Sequence, residues 1–134
     1  MVRTKKQVAQ DFVARLNARV KGFEAKPVRL DFSVLRPKLQ DIRGAWFGGI
    51  REPNIARTAV FGPNVDRSDE FQHAESVGEL TNIIVPLSSD GVTHMLMFAA
   101  EGGIVLYQAY QDTSDEVAVI DFALSTILQG CLSF

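Results

Sequence analysis

The chain has 134 residues, 46% hydrophobic and 22% charged, with one cysteine and a formal net charge of −2. That is the length and composition of a single globular domain, residues 1–134. No apolar run approaches the ~20 residues of a membrane span, the charged start MVRTKKQVAQDF lacks the apolar segment of a secretory signal, and Cys131 has no partner for an internal disulfide, so a reducing, cytoplasmic setting is expected.

Thr4 and Gln7 form a capping-box pair, and Val8, Phe12, Val13, Leu16 and Val20 recur at helical spacing up to Gly22. An amphipathic helix is therefore expected over residues 5–21, with positive charge at its N-terminal end, against the macrodipole. The charge of the whole chain is lopsided in the same sense. Residues 1–43 hold 11 Lys/Arg against 4 Asp/Glu, and residues 44–134 hold 3 against 12. Such asymmetry marks a basic arm for nucleic acid or membrane, or a basic segment lying on the acidic body, within one chain or between subunits. A nucleic-acid arm carries denser Arg/Lys with aromatics between them. Here apolar residues dilute the charge, which favours the second reading and leaves the basic helix as the one element suited to the first.

In KPVRLDFSVL, Val28, Leu30, Phe32 and Val34 alternate with Arg29, Asp31 and Ser33, the pattern of a half-buried strand, and Pro37 interrupts regular structure beyond it. DIRGAWFGGI and IARTAVFG read as strands joined by the turn REPN. Residues 66–77 read as a helix. LTNIIVPL and VTHMLMFAA are strands around the hairpin signal Ser89-Asp90-Gly91, and IVLYQAY comes after the turn EGG. Val117, Ile120, Leu124, Ile127, Leu128 and Cys131 then mark one face of a closing helix, capped by Ser114 or Asp115. The expected fold is α+β, in the order α-β-β-β-α-β-β-β-α. A single antiparallel sheet of five to six strands carries helices from both chain ends. The strands between residues 80 and 110 are apolar on both faces, as in a sheet covered on both sides. Helices can cover one face and a second subunit the other. An apolar terminus, GCLSF ending in Phe134, also calls for a partner, so a homodimer is expected.

Catalytic signals are sparse. In FGPNVDRSDEFQHAE, Asn64, Asp66, Ser68 and Glu75 sit at the spacing of a calcium loop, but the sixth position, where the turn requires glycine, is Asp69, and a strand precedes the loop. The segment reads instead as a turn followed by a helix capped by Asp66, so that Asp66→Ala is expected to cost about 1 kcal/mol. Gly44, Gly48 and Gly49 lack a phosphate-loop pattern and mark a bulge or close packing in a strand. His73 falls in the helix. His94 shares a strand face with Val92, Leu96 and Phe98, and is the one polar candidate for contacting a ligand, although no nucleophile or orienting carboxylate adjoins it. Cys131 falls on the inward stripe of the last helix and reads as a buried thiol. No metal set, cofactor motif or catalytic set is expected. Trp46 and Phe47 must point to opposite faces of their strand. One belongs to the core, and the other, with Arg51 and Arg57, lines a partner surface, to which Phe134 is added.

The order helix, two strands, helix, three strands, helix is similar to that of roadblock-type dimerisation domains, which are non-enzymatic homodimeric scaffolds. The strand near 28–34 is additional to that pattern. The segment IVPLSSDGVTHML resembles the last hairpin of bacterial PAS sensor domains. The first resemblance implies a homodimeric regulatory, adaptor or accessory factor acting through protein–protein contacts. The second implies a PAS-like small-ligand sensor with an apolar pocket between sheet and helices.

Overall fold

The structure, a computed structural model, describes residues 5–22 and 28–133. Helix α1 (Lys6–Arg19) ends at Val20, which takes an extended conformation, and Gly22 beyond it has a left-handed φ of 82°. The expected cap at Thr4 lies outside the described residues, as does Phe134.

The expected strand at 28–34 is replaced by two shorter elements. Strand β1 (Arg29–Leu30) stops at Asp31, whose carboxylate accepts the Ser33 N–H at 2.9 Å and starts helix α2 (Phe32–Leu35). Phe32 and Leu35, three apart, are both buried, whereas the strand pattern would have paired Phe32 with Val34, which is exposed. Aspartate competing for a local N–H overrides the alternation around it. β1 pairs with β7 (Leu132–Ser133), which joins the end of the chain to residues 29–30.

A five-stranded antiparallel sheet forms the body. It consists of β2 (Gly44–Gly48), β3 (Thr58–Phe61), β4 (Glu79–Ser89), β5 (Val92–Ala99) and β6 (Ile104–Leu106), in the spatial order β3-β2-β4-β5-β6. Asp90 and Gly91 at the β4–β5 turn both have positive φ, 51° and 76°, as a two-residue hairpin with right-handed strand twist demands. β6 is shorter than the expected 104–110. After Leu106 the side-chain amide of Gln108 takes over the pairing, accepting the Met95 N–H at 3.1 Å and donating to the Thr93 carbonyl at 2.8 Å. The backbone is thereby released from the sheet while the polar groups of β5 stay satisfied.

Helix α3 (Asp69–Val77) lies between β3 and β4 in the chain, and α4 (Thr113–Ser125) comes after β6. One contiguous core joins Ala45, Phe47, Ile83, Val85, Leu96 and Phe98 of the sheet to residues of α2, α3 and α4. Phe71 of α3 meets Phe47 edge to face at 5.1 Å between ring centroids, a geometry favourable beyond its area burial. On α4 the inward residues are Val119 and Ala123, not Ile120 and Leu124, and Leu124 is exposed. Most residues between 117 and 124 are apolar, so the sequence does not mark which face turns inward. Asp112, accepting the Asp115 N–H at 3.1 Å, caps the helix in place of Ser114 or Asp115. Leu128 and Cys131 are buried as expected, but they reach the core from a turn beyond the helix.

Among the described residues, no helix is long and apolar enough to cross a membrane. None of α1 belongs to the buried core or to the partly buried apolar residues packed against it.

Candidate interaction surface

Side chains alternate across a strand, so a sheet whose one face is filled by Phe47, Ile83, Val85 and Phe98 presents their neighbours on the other. The register of the strands makes this second face a continuous row. Phe61 on β3 is opposite Gly44 on β2, Gly44 is opposite Ile84 on β4, Ile84 opposite Met97 on β5, and Met97 opposite Val105 on β6. Trp46 and Met95 lie on the same face, and Tyr107 stands at its β6 edge, where its N–H donates to the Met95 carbonyl at 3.1 Å. The row itself carries no charge, and Glu79, opposite Gly48 at the start of β4, is exposed at the end of this face.

The face is apolar and incompletely covered. Phe61 is 62% exposed, Tyr107 52% and Val105 41%, while Trp46, Ile84, Met95 and Met97 are half-buried. Trp46 and Phe61 meet edge to face, with centroids 5.2 Å apart and planes at 85°. Gly44 makes that possible, because a β-carbon there would stand 2.9 Å from the Phe61 ring and 3.1 Å from Ile84. The glycine in this strand thus serves close packing, as its place in a strand implies. A contiguous, partly exposed apolar row on a folded chain is a candidate interaction surface.

The sequence candidates divide accordingly. Phe47 is buried in the core, so Trp46 is the member of the pair that reaches the second face. Arg51 does not join it. Its guanidinium donates to the Ser76 carbonyl at 3.1 Å and its N–H to the Val77 carbonyl at 2.7 Å, so it satisfies the C-terminal end of α3. Arg57 is exposed just before β3. Phe61, Ile84, Met95, Met97, Val105 and Tyr107 were not singled out by the sequence. The apolar doubling of both faces of VTHMLMFAA was the signal for Met95 and Met97, but only the register aligns the set with Gly44 and Trp46 across five strands.

His94 lies on the core side, at the margin. Its Nδ1 is 2.8 Å from the Tyr110 hydroxyl and the rings stack, with centroids 5.8 Å apart. The Tyr110 hydroxyl also donates to Gln108 Oε1 at 3.4 Å. Burial, and secondarily the charge of Glu116, pushes the Tyr110 hydroxyl above its usual value of 10.0. This set holds the chain beyond β6 against β5. Tyr110 and Gln108 carry no distinct signal in the sequence because they sit in what reads as a regular strand.

Three of the four residues at calcium-like spacing, Asn64, Ser68 and Glu75, are committed to separate partners. Asn64 takes a left-handed φ of 49° and its N–H donates to Asp41 Oδ1 at 2.7 Å. Arg43 also donates to Asp41, and that hydrogen bond chiefly holds the Asp41 carboxyl below the ordinary 3.8. Ser68, not Asp66, caps α3, its Oγ accepting the Phe71 N–H at 3.1 Å. Asp66 instead belongs to a 3-10 turn, Val65–Arg67, that precedes the cap. Glu75 pairs with Arg36, whose guanidinium lies 5.2 Å over the Phe71 ring. His73 pairs with Glu52 at 2.5 Å.

Comparison with protein families, with curated proteins and with solved structures gives no match. The surface therefore has to be read from its own chemistry.

Proposed function

We propose that this is a non-enzymatic protein that works through protein–protein contacts, as a homodimeric regulatory, adaptor or accessory factor, and that the second face of its sheet makes the contact. The observation that carries this reading is the charge-free apolar row from Phe61 to Val105, with both ends exposed. The interior of an interface is depleted of charge and enriched in aromatic residues and methionine, and Trp46, Phe61, Met95 and Met97 have that composition. The alternative, a small-ligand sensor, requires an apolar cavity between sheet and helices. Leu35, Phe47, Phe71, Phe98 and Leu128 are fully buried there and fill that space. The cytoplasm is the proposed setting, since the chain's single thiol is suited to a reducing compartment.

Size-exclusion chromatography with light scattering tests the reading on the intact protein. The expected mass is twice the 14.8 kDa of the chain. Met97→Glu, which sets a charge at the centre of the row, is expected to return the protein to one chain without changing its circular dichroism. A wild-type protein that stays monomeric at tens of micromolar, or a Met97→Glu variant with unchanged mass, defeats the proposal.

A further inference from the structure

Among the described residues, a face of the sheet and a face of α1 are apolar and lie outside the core. On α1, Val8 is 54% and Phe12 51% exposed, with Val13 and Leu16 half-buried beside them. We propose that α1 of each chain docks on the sheet face of a second copy, so that two chains exchange their N-terminal helices. This rests on the reading of the sheet face as the contact surface and specifies what covers it.

Charge argues for the pairing. Residues 5–21 carry five cations, Lys5, Lys6, Arg15, Arg19 and Lys21, against Asp11, whereas the body, residues 28–133, holds 7 Lys/Arg against 14 Asp/Glu. Two identical bodies of net negative charge oppose each other when pressed together directly, and a basic helix laid between them offsets that term. The row from Phe61 to Val105 is uncharged, and Glu79 lies at the outer end of β4, so no charge of the row is left unpaired beneath the helix. Cations at the start of α1, unfavourable against its own macrodipole, find a favourable place beside an acidic partner.

Size agrees as well. The 14 residues of α1 span ~21 Å, and the five strands of the sheet are spread over ~19 Å between outer axes. Two footprints ~21 Å long and ~10 Å wide, counted on both partners, cover ~800 Å² of planar area and on the order of twice that as corrugated accessible surface, which reaches the range of a standard interface. The body does not depend on α1 for its core, so the helix is available for exchange.

The test uses full-length Phe12→Glu and Met97→Glu chains, alone and mixed, by light scattering and sedimentation. Each variant alone is expected to associate at least ~10-fold more weakly than wild type. Mixed in equal amounts, they should form a one-to-one pair, because the first supplies an intact sheet face and the second an intact helix. If Met97→Glu is monomeric while Phe12→Glu dimerises like wild type, the sheets meet face to face. The exchange then falls, while the contact surface stands. Wild-type mass in both variants refutes the contact surface itself. A monomeric wild type whose melting temperature falls in Phe12→Glu assigns α1 to its own chain and also overturns the exchange.

Discussion

Asp66 and Ser68 compete for one role, the cap of α3, and the two serve as a controlled pair. The Ser68 hydroxyl accepts the Phe71 N–H at 3.1 Å and donates to the Val65 carbonyl at 2.6 Å. Ser68→Ala leaves the Phe71 N–H without that acceptor. The Val65 carbonyl keeps the Ser68 backbone N–H at 3.0 Å, so it is not orphaned. The loss is therefore that of a single N-cap, about 1 kcal/mol. With an unfolding entropy of ~2.1 cal/mol/K per residue, 134 residues give ~0.28 kcal/mol/K, and the melting temperature should fall by ~3.5 °C. Asp66→Ala removes no hydrogen bond among the described residues and should stay within ~0.5 kcal/mol. Ser68→Asp, which restores an acceptor at the cap, should recover most of the loss. Urea and thermal unfolding of the three variants, with m-values compared, measure all of this. A larger loss in Asp66→Ala than in Ser68→Ala would refute the assignment of the cap.

Gly102 has a φ of 91°, and a β-carbon there would collide with the Val28 carbonyl. Gly102→Ala should therefore destabilise by at least ~1 kcal/mol, through both the left-handed backbone and the displaced neighbour. A melting temperature unchanged from wild type would contradict that close approach. The Asp41 carboxyl, depressed in the folded state mainly by Arg43, stabilises the fold above its unfolded value of 3.8, and the contribution is lost as pH falls through the lower folded value. Asp41→Asn should then be less stable at neutral pH and show a shallower decline in melting temperature below about pH 4. Parallel curves for variant and wild type would remove Asp41 from the acid transition.

Elements whose signal is local were readable in the sequence. The periodicity of residues 5–21 and the turn Asp90-Gly91 depend on neighbours within one or two turns of chain, and each stands as expected. The pattern misleads where a side chain displaces the backbone from regular structure. Asp31 closes on the Ser33 N–H and turns a strand into a helix, and Gln108 replaces the main chain of β6. The capping shifts, Asp66 to Ser68 and Ser114 or Asp115 to Asp112, have a similar origin. Several acceptors lie within a few residues of each helix start, and only the backbone path selects one.

The sequence by itself determined the α+β class, the charge asymmetry and the presence of strands apolar on both faces, because composition and short-range periodicity carry that information. Only the tertiary structure decided which residues share the second face. Phe61, Gly44, Ile84, Met97 and Val105 come from five strands spread over 62 positions of chain, and strand register, a long-range property, aligns them in one row. The same register buries Phe47 and brings Trp46 to the second face, a choice that two adjacent aromatic residues leave open until the sheet has an inside.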